Sequence, residues 1–136
     1  MSAAAIAGKL RQAGLRPTRQ RLALAEILFG AGDRHVSAEA LHGEAVAAQV
    51  PVSLATVYNS LNQFTGAGLL REVAIEGDRS YFDTNTSNHF HYFIQEEGRL
   101  MDIDAGNIEV TGLPALPDGT EIGRIDVIVR LRKPQV

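Results

Sequence analysis

The chain contains no cysteine and no tryptophan in its 136 residues. Without thiols there is no disulfide framework, no thiolate metal site and no cysteine nucleophile, and the absence is compatible with a reducing compartment. No apolar run approaches the ~20 residues that cross a bilayer, and the N-terminal MSAAAIAGKL lacks a basic-then-apolar signal pattern. A cytoplasmic protein with no membrane partner is therefore expected. Low-complexity tracts and internal repeats are also missing. With 45% hydrophobic and 21% charged residues the composition is that of a folded protein.

Acidic side chains are absent from residues 1–21, which carry Lys9, Arg11, Arg16, Arg19 and Arg21. The formal net charge of −3 thus hides an uneven distribution. Residues 1–82 hold eight basic against seven acidic side chains, and residues 83–136 hold five against nine. A near-neutral half with a basic arm precedes an acidic half.

Ala3 to Ala13 has good helix propensity and ends at Gly14 and Pro17. Thr18 is placed to cap a second helix carrying Leu22, Ala25, Leu28 and Phe29 and stopped by Gly30 and Gly32. Ser37 opens a third, with Leu41, Ala45, Val46 and Ala48, before Pro51. Ser53 caps a fourth, running to about Thr65, whose Leu54, Val57, Leu61 and Phe64 fall in one arc at 100° per residue and should pack inward. Its other arc carries Ala55, Thr56, Asn59 and Gln63, bordered by Tyr58 and Asn62. That face is short, polar and without charge, where an ordinary solvated helix would carry Lys and Glu.

Two β-prone runs follow, Leu69 to Ile75 and Ser80 to Phe82, around the turn Glu76-Gly77-Asp78-Arg79. Helices followed by a hairpin outline a winged helix-turn-helix over residues 1–83. The polar run from Asp83 to Asn88 predicts a hinge at 84–88. Beyond it, Phe90 to Ile94 and Arg99 to Ile103 read as strands joined by Gln95-Glu96-Glu97-Gly98, and Ile125, Val127, Val129 and Leu131 alternate with polar and apolar neighbours in a third. Pro114 and Pro117 interrupt the stretch from Asp104 to Gly119 too often for a long helix. A unit of ~50 residues buries little core alone, so residues ~88–133 are expected to pair with their own copy in a homodimer.

In a helix-turn-helix the second helix enters the major groove, where amides bond base edges and apolar groups meet thymine methyls. Thr56, Tyr58, Asn59 and Gln63 suit that task, with Ser53 at the helix start. Arg16 and Arg19 suit phosphates or a narrow AT-rich minor groove, and Arg79 on the hairpin suits the backbone. The same face would also suit a protein partner. Separately, His35, Asp83, His91 and Asp102 supply two imidazoles and two carboxylates, a donor set for Mn, Fe or Zn without thiolate. His89 and His91 are two apart on a strand, hence on one face, about 7 Å apart along it. That spacing serves one metal or places an axial His on haem iron. His42, without a partner in the pattern, is expected to be structural. No nucleophile–base pair or phosphate loop is present to support an enzyme.

The stretches Gly14-Leu15-Arg16-Pro17-Thr18-Arg19-Gln20-Arg21, His35-Val36-Ser37-Ala38-Glu39 and Ser53-Leu54-Ala55-Thr56-Val57-Tyr58-Asn59-Ser60-Leu61, with the His-rich strand near residue 90, resemble the ferric uptake regulator superfamily over nearly the whole chain. The resemblance implies an α+β protein in which an N-terminal winged helix-turn-helix (1–83) is joined by a hinge (84–88) to a small α/β dimerisation and sensing domain (89–136). It implies a dimeric metal-responsive repressor of AT-rich operators. Arg16 then matches the minor-groove basic residue and Tyr58 the base-contacting tyrosine, while Asn59 stands where many members have Arg. His35, Asp83, His91 and Asp102 match the interdomain regulatory metal site, with Asp in place of the more usual Glu at two positions.

The departures are specific. The Cys-x-x-Cys motif is absent, so no structural zinc held by four cysteines is expected and the dimer must rest on apolar packing. Of the second metal site, His89 and Glu109 align, but Phe90 replaces a carboxylate and Ile125 a histidine. Lost thiols and the Ser-x-His-x-His-Tyr-Phe strand look most like the iron response regulator branch, which binds haem and controls haem synthesis and iron uptake. The implied ligands are haem at His89, His91 and Glu109, a divalent metal, or both. The leading expectation is a regulator of iron and haem genes, and the alternative is a manganese-, zinc- or peroxide-responsive repressor of the same superfamily.

Overall fold

The computed structural model describes residues 2–76 and 79–135. The chain divides into two compact units, Met1–Thr86 and Ser87–Val136, a boundary that falls inside the stretch 84–88. No helix among the described residues is long and apolar enough to cross a membrane.

The first unit contains helices α1 (Ala3–Gln12), α2 (Arg19–Phe29), α3 (Ala38–Ala47) and α4 (Leu54–Gly66), and strands β1 (His35–Val36), β2 (Arg71–Glu76) and β3 (Arg79–Asp83). Each helix begins on a hydroxyl. Ser2, Thr18, Ser37 and Ser53 accept from the backbone N–H three residues on, satisfying a donor that the first turn leaves without a helical partner.

Helices α1 and α4 end in the same way. Leu15 N–H donates to the Leu10 carbonyl and Gly14 N–H to the Arg11 carbonyl, both at 2.9 Å, and Leu69 and Gly68 repeat the pattern on Phe64 and Thr65. This closure needs a left-handed residue, supplied by Gly14 and Gly68, both at φ 82°. Helix α3 closes likewise through Val50 N–H to the Ala45 carbonyl at 2.8 Å, but the left-handed position is held by Gln49 at φ 60°.

The core gathers Ile6 and Leu10 of α1, Leu24 and Leu28 of α2, Leu41 of α3, Val57, Leu61 and Phe64 of α4, and Phe82 of β3. Phe64 is fully buried and meets Phe29 with ring centroids 6.4 Å apart. Burial of that one ring is worth about 2–3 kcal/mol. Four of the apolar helix positions lie outside the buried core: Leu22 and Leu54 are only partly buried, Ala48 is exposed and Val46 is 58% exposed. On α3 the buried residues Ala38, Leu41 and Ala45 define the inward stripe, and one residue further turns Val46 by 100° toward solvent.

The sheet of the first unit runs β1-β3-β2, all antiparallel. The turn expected at Glu76-Gly77-Asp78-Arg79 falls on Gly77 and Asp78, which lie outside the described residues, while Glu76 and Arg79 face one another in register. Strand β1 was not legible in the pattern, because two residues become a strand only by pairing with β3. Arg34 fastens it: its N–H donates to Thr84 Oγ1 at 2.9 Å, and its guanidinium makes a bidentate pair with Glu44 at 2.8 and 2.7 Å. That hydrogen bonding holds the Glu44 carboxyl below its usual range.

In the second unit, β4 (His89–Ile94) lies between β5 (Arg99–Asp104), antiparallel, and β6 (Ile128–Leu131), parallel. The third strand is thus shorter than the alternation from Ile125 predicts, since pairing with β4 extends over four residues only. The one helical element among its described residues is the 3-10 turn Ala105–Asn107. Pleating assigns His89, His91 and Phe93 to one face of this sheet, and Phe90, Tyr92 and Ile94 to the other, beside Ile103, Met101, Val129 and Leu131.

Gln49 carries the strain of a side chain in the left-handed region. Gln49→Gly should raise the stability of the first unit by about 0.5–1 kcal/mol, read as a higher midpoint in chemical denaturation.

Candidate DNA-binding face and metal centre

Burial of Val57, Leu61 and Phe64 leaves Thr56, Asn59 and Gln63 on the outer side of α4. With Arg16, Thr18, Gln20 and Arg21 from the start of α2, these residues line a groove of about 520 Å³. Arg16, Asn59 and Gln63 are exposed, so the face combines two amides with a positive arm. Arg19 is exposed but does not line the groove. Ser53 spends its hydroxyl locally, accepting from Thr56 N–H at 3.1 Å and donating to Thr56 Oγ1 at 3.0 Å. Its part is to start the helix.

Tyr58 borders a second groove of about 390 Å³ lined by Ser37, Glu39, Arg79, Ser80 and Tyr81, between α3, α4 and the hairpin. Its hydroxyl donates to Glu39 Oε1 at 2.7 Å, which holds the Glu39 carboxyl below the usual carboxylate range. The phenol is thereby oriented, and its partly buried ring packs against the core of the first unit. Glu39 and Arg21 were not singled out from sequence as site residues. Neither spacing pointed to them, since they reach α4 from 19 and 42 residues away.

The strongest chemical cluster lies on β4 and β5. Register places Asp102 opposite His91, and Nε2 of His91 and of His89 stand 3.5 and 3.6 Å from the same Asp102 oxygen. The two rings are 4.6 Å apart, closer than strand spacing predicts, because both side chains lean toward that carboxylate. One ligand atom of each residue lies within 4.8 Å of the others. His89 Nδ1 donates to the Ser87 carbonyl at 2.7 Å, since a carbonyl can only accept. Nε2 is the nitrogen turned toward Asp102, and a carbonyl on the other ring nitrogen is the second contact that orients metal-ligating histidines. Two imidazole nitrogens and a carboxylate oxygen fit a divalent ion.

In the first unit, Asp83 stands opposite His35 in the β1–β3 register, and His35 is outside the group of residues whose ligand atoms converge. Asp83 is buried, and its Oδ1 accepts from Asn85 N–H at 2.9 Å. Glu109 is exposed beyond the 3-10 turn and is not part of the histidine cluster. Phe90, where a carboxylate was expected by resemblance, is buried on the opposite face of its strand. His42 binds the Val52 carbonyl through Nε2 at 3.1 Å, a structural role.

A winged helix with an uncharged reading face, followed by a sheet that groups histidines with a carboxylate, defines the class of metal-sensing DNA-binding proteins. Residues 12–127 match the model of the Ferric uptake regulator family, and the chain belongs to that family. The ferric uptake regulation protein of Shigella flexneri is 37% identical over 101 residues, covering 74% of this chain and 68% of that protein. The peroxide-responsive repressor PerR of Staphylococcus aureus is 36% identical over 94 residues, covering 68% of this chain and 62% of that protein. Among solved structures, the ferric uptake regulator from Pseudomonas aeruginosa with manganese aligns at a TM-score of 0.71 and 27% identity, covering 94% of this chain and 97% of that one. Neither curated relative is an iron response regulator.

If His89 and His91 ligate one ion, His89→Ala and His91→Ala should each weaken Zn²⁺ or Mn²⁺ binding by about 10-fold or more. Titration calorimetry on the intact protein measures this. Unchanged affinity in both variants would refute the cluster as a metal site.

Proposed function

We propose that this chain is a homodimeric transcriptional regulator of iron homeostasis genes, not an enzyme, that binds AT-rich duplex DNA and responds to a divalent ion. The observation that carries the reading is the His89–Asp102–His91 cluster, with the His89 ring oriented by its Nδ1 bond to the Ser87 carbonyl. Asp83 and His35 join as the ligands of the first unit. The support is that each unit holds its own histidine–carboxylate pair in strand register. An ion bound by both pairs would tie the two units together and so select among the half-site geometries available to a dimer.

On the DNA side, α4 presents Thr56, Tyr58, Asn59 and Gln63 to the major groove, Ser53 starts the helix, and Arg16 and Arg19 contact the minor groove or phosphates. The homodimer forms through the apolar face of the second sheet. Tyr92, Met101 and Leu131 are 36 to 41% exposed there, beside Phe90 and Ile103, as a covered face requires. The ion is Fe, Mn or Zn, because the donors are nitrogen and oxygen with no thiolate. Haem gains no support from the geometry: the His89 and His91 side chains are only 6% and 2% exposed and converge on one carboxylate. A manganese-, zinc- or peroxide-responsive repressor is the second reading, and the similar identity to PerR and to the ferric uptake regulation protein favours its peroxide form.

Fluorescence anisotropy on AT-rich duplexes, with Fe²⁺ under anaerobic conditions, Mn²⁺, Zn²⁺, haem or chelator, tests the proposal. Metal should change operator affinity by about 10-fold or more, and His91→Ala should abolish the change. Binding indifferent to metal and chelator would overturn the sensing role, and a response to haem alone would restore the haem reading.

A further inference from the structure

Gln63 is an amide that in isolation both donates and accepts. In the structure its Oε1 accepts twice from the guanidinium of Arg21, from Nε at 3.2 Å and from Nη2 at 3.0 Å. The third nitrogen, Nη1, donates to the Arg16 carbonyl at 2.9 Å. A guanidinium has donors only, so the amide oxygen must face it, and both of that oxygen's lone-pair directions are taken. With its oxygen engaged by Arg21, the NH₂ group is what Gln63 has left to offer in the groove it lines with Arg16, Thr56 and Asn59.

We propose that Arg21 makes Gln63 a donor-only contact to duplex DNA, a specificity that rests on the DNA-binding reading above. Held this way, Gln63 binds hydrogen-bond acceptors: guanine O6 and N7, thymine O4, or a phosphate oxygen. It disfavours the paired contact to adenine, in which glutamine must also accept from the N6 amino group. Arg21 acts through Gln63 and is a positioning residue. Its bond to the Arg16 carbonyl also ties the basic arm to α4, so the arm and the reading helix meet DNA in a set relation.

Duplex selection from a randomised pool, followed by anisotropy on the selected sequences, tests this with the intact wild type, Gln63→Leu, Gln63→Glu, Arg21→Leu and the Arg21→Leu/Gln63→Leu double variant. Gln63→Leu should weaken binding by about 10-fold. Gln63→Glu keeps both bonds from Arg21 but removes the donors, and should lose more than Gln63→Leu, which separates the DNA contact from any loss of folding. A loss confined to duplexes with guanine or thymine at one position identifies a base edge, and an equal loss on all duplexes identifies a phosphate. Arg21→Leu should let adenine in at a base-edge position, and its loss should not add to that of Gln63→Leu. Wild-type preference for adenine at the position that Gln63→Leu relaxes, wild-type affinity in Gln63→Leu, or additive losses would overturn the assignment while leaving DNA binding standing. Failure of the wild type to bind any duplex would overturn both.

Discussion

Antiparallel register is the constraint on which the chemistry of this protein depends. A directly opposed pair shares one face of a sheet with Cβ atoms about 5 Å apart. It places Asp83 against His35 in the first unit and Asp102 against His91 in the second. A slip of one residue would turn each carboxylate to the other face and dissolve both pairs. Phe82 from β3, and Phe93 and Leu100 on the histidine face of the second sheet, are buried, so that slip would also expose aromatic and aliphatic surface. The hydrophobic pattern therefore guards the geometry of the polar groups.

Helix α4 obeys the corresponding rule at a period of 3.6. Val57, Leu61 and Phe64 are at 0% exposure, which turns Thr56, Asn59 and Gln63 outward without any force acting on them directly. Hydrogen bonds then restrict what those polar side chains offer. Glu39 takes the Tyr58 hydroxyl and Arg21 takes the Gln63 oxygen, which leaves Gln63 its NH₂ group. The reading face is defined as much by the groups its neighbours have occupied as by its own residue types.

The helices, their caps and the reading face were legible from sequence because they are local. Thr18, Ser37 and Ser53 cap within three residues, and Gly14 and Gly68 end helices within one turn. The strands of the second unit were legible where alternation is sustained, and less so at residues 125–132, where pairing trims the strand to Ile128–Leu131. The two-residue β1 was not legible at all, and neither were the roles of Glu39 and Arg21, since each exists only through a partner far along the chain.

Sequence alone determined the donor inventory: no thiol, four histidines, and carboxylates concentrated in the second half. Residue type sets which ions and which base edges can be bound at all. Tertiary structure decided which donors meet, joining His89 to His91 and Asp102 while placing Glu109 elsewhere and His42 on a backbone carbonyl. Ligation and base reading require atoms within a few ångströms and a chosen lone pair or proton. Strand register and cross-chain hydrogen bonds supply those, and neither is a local property of the sequence.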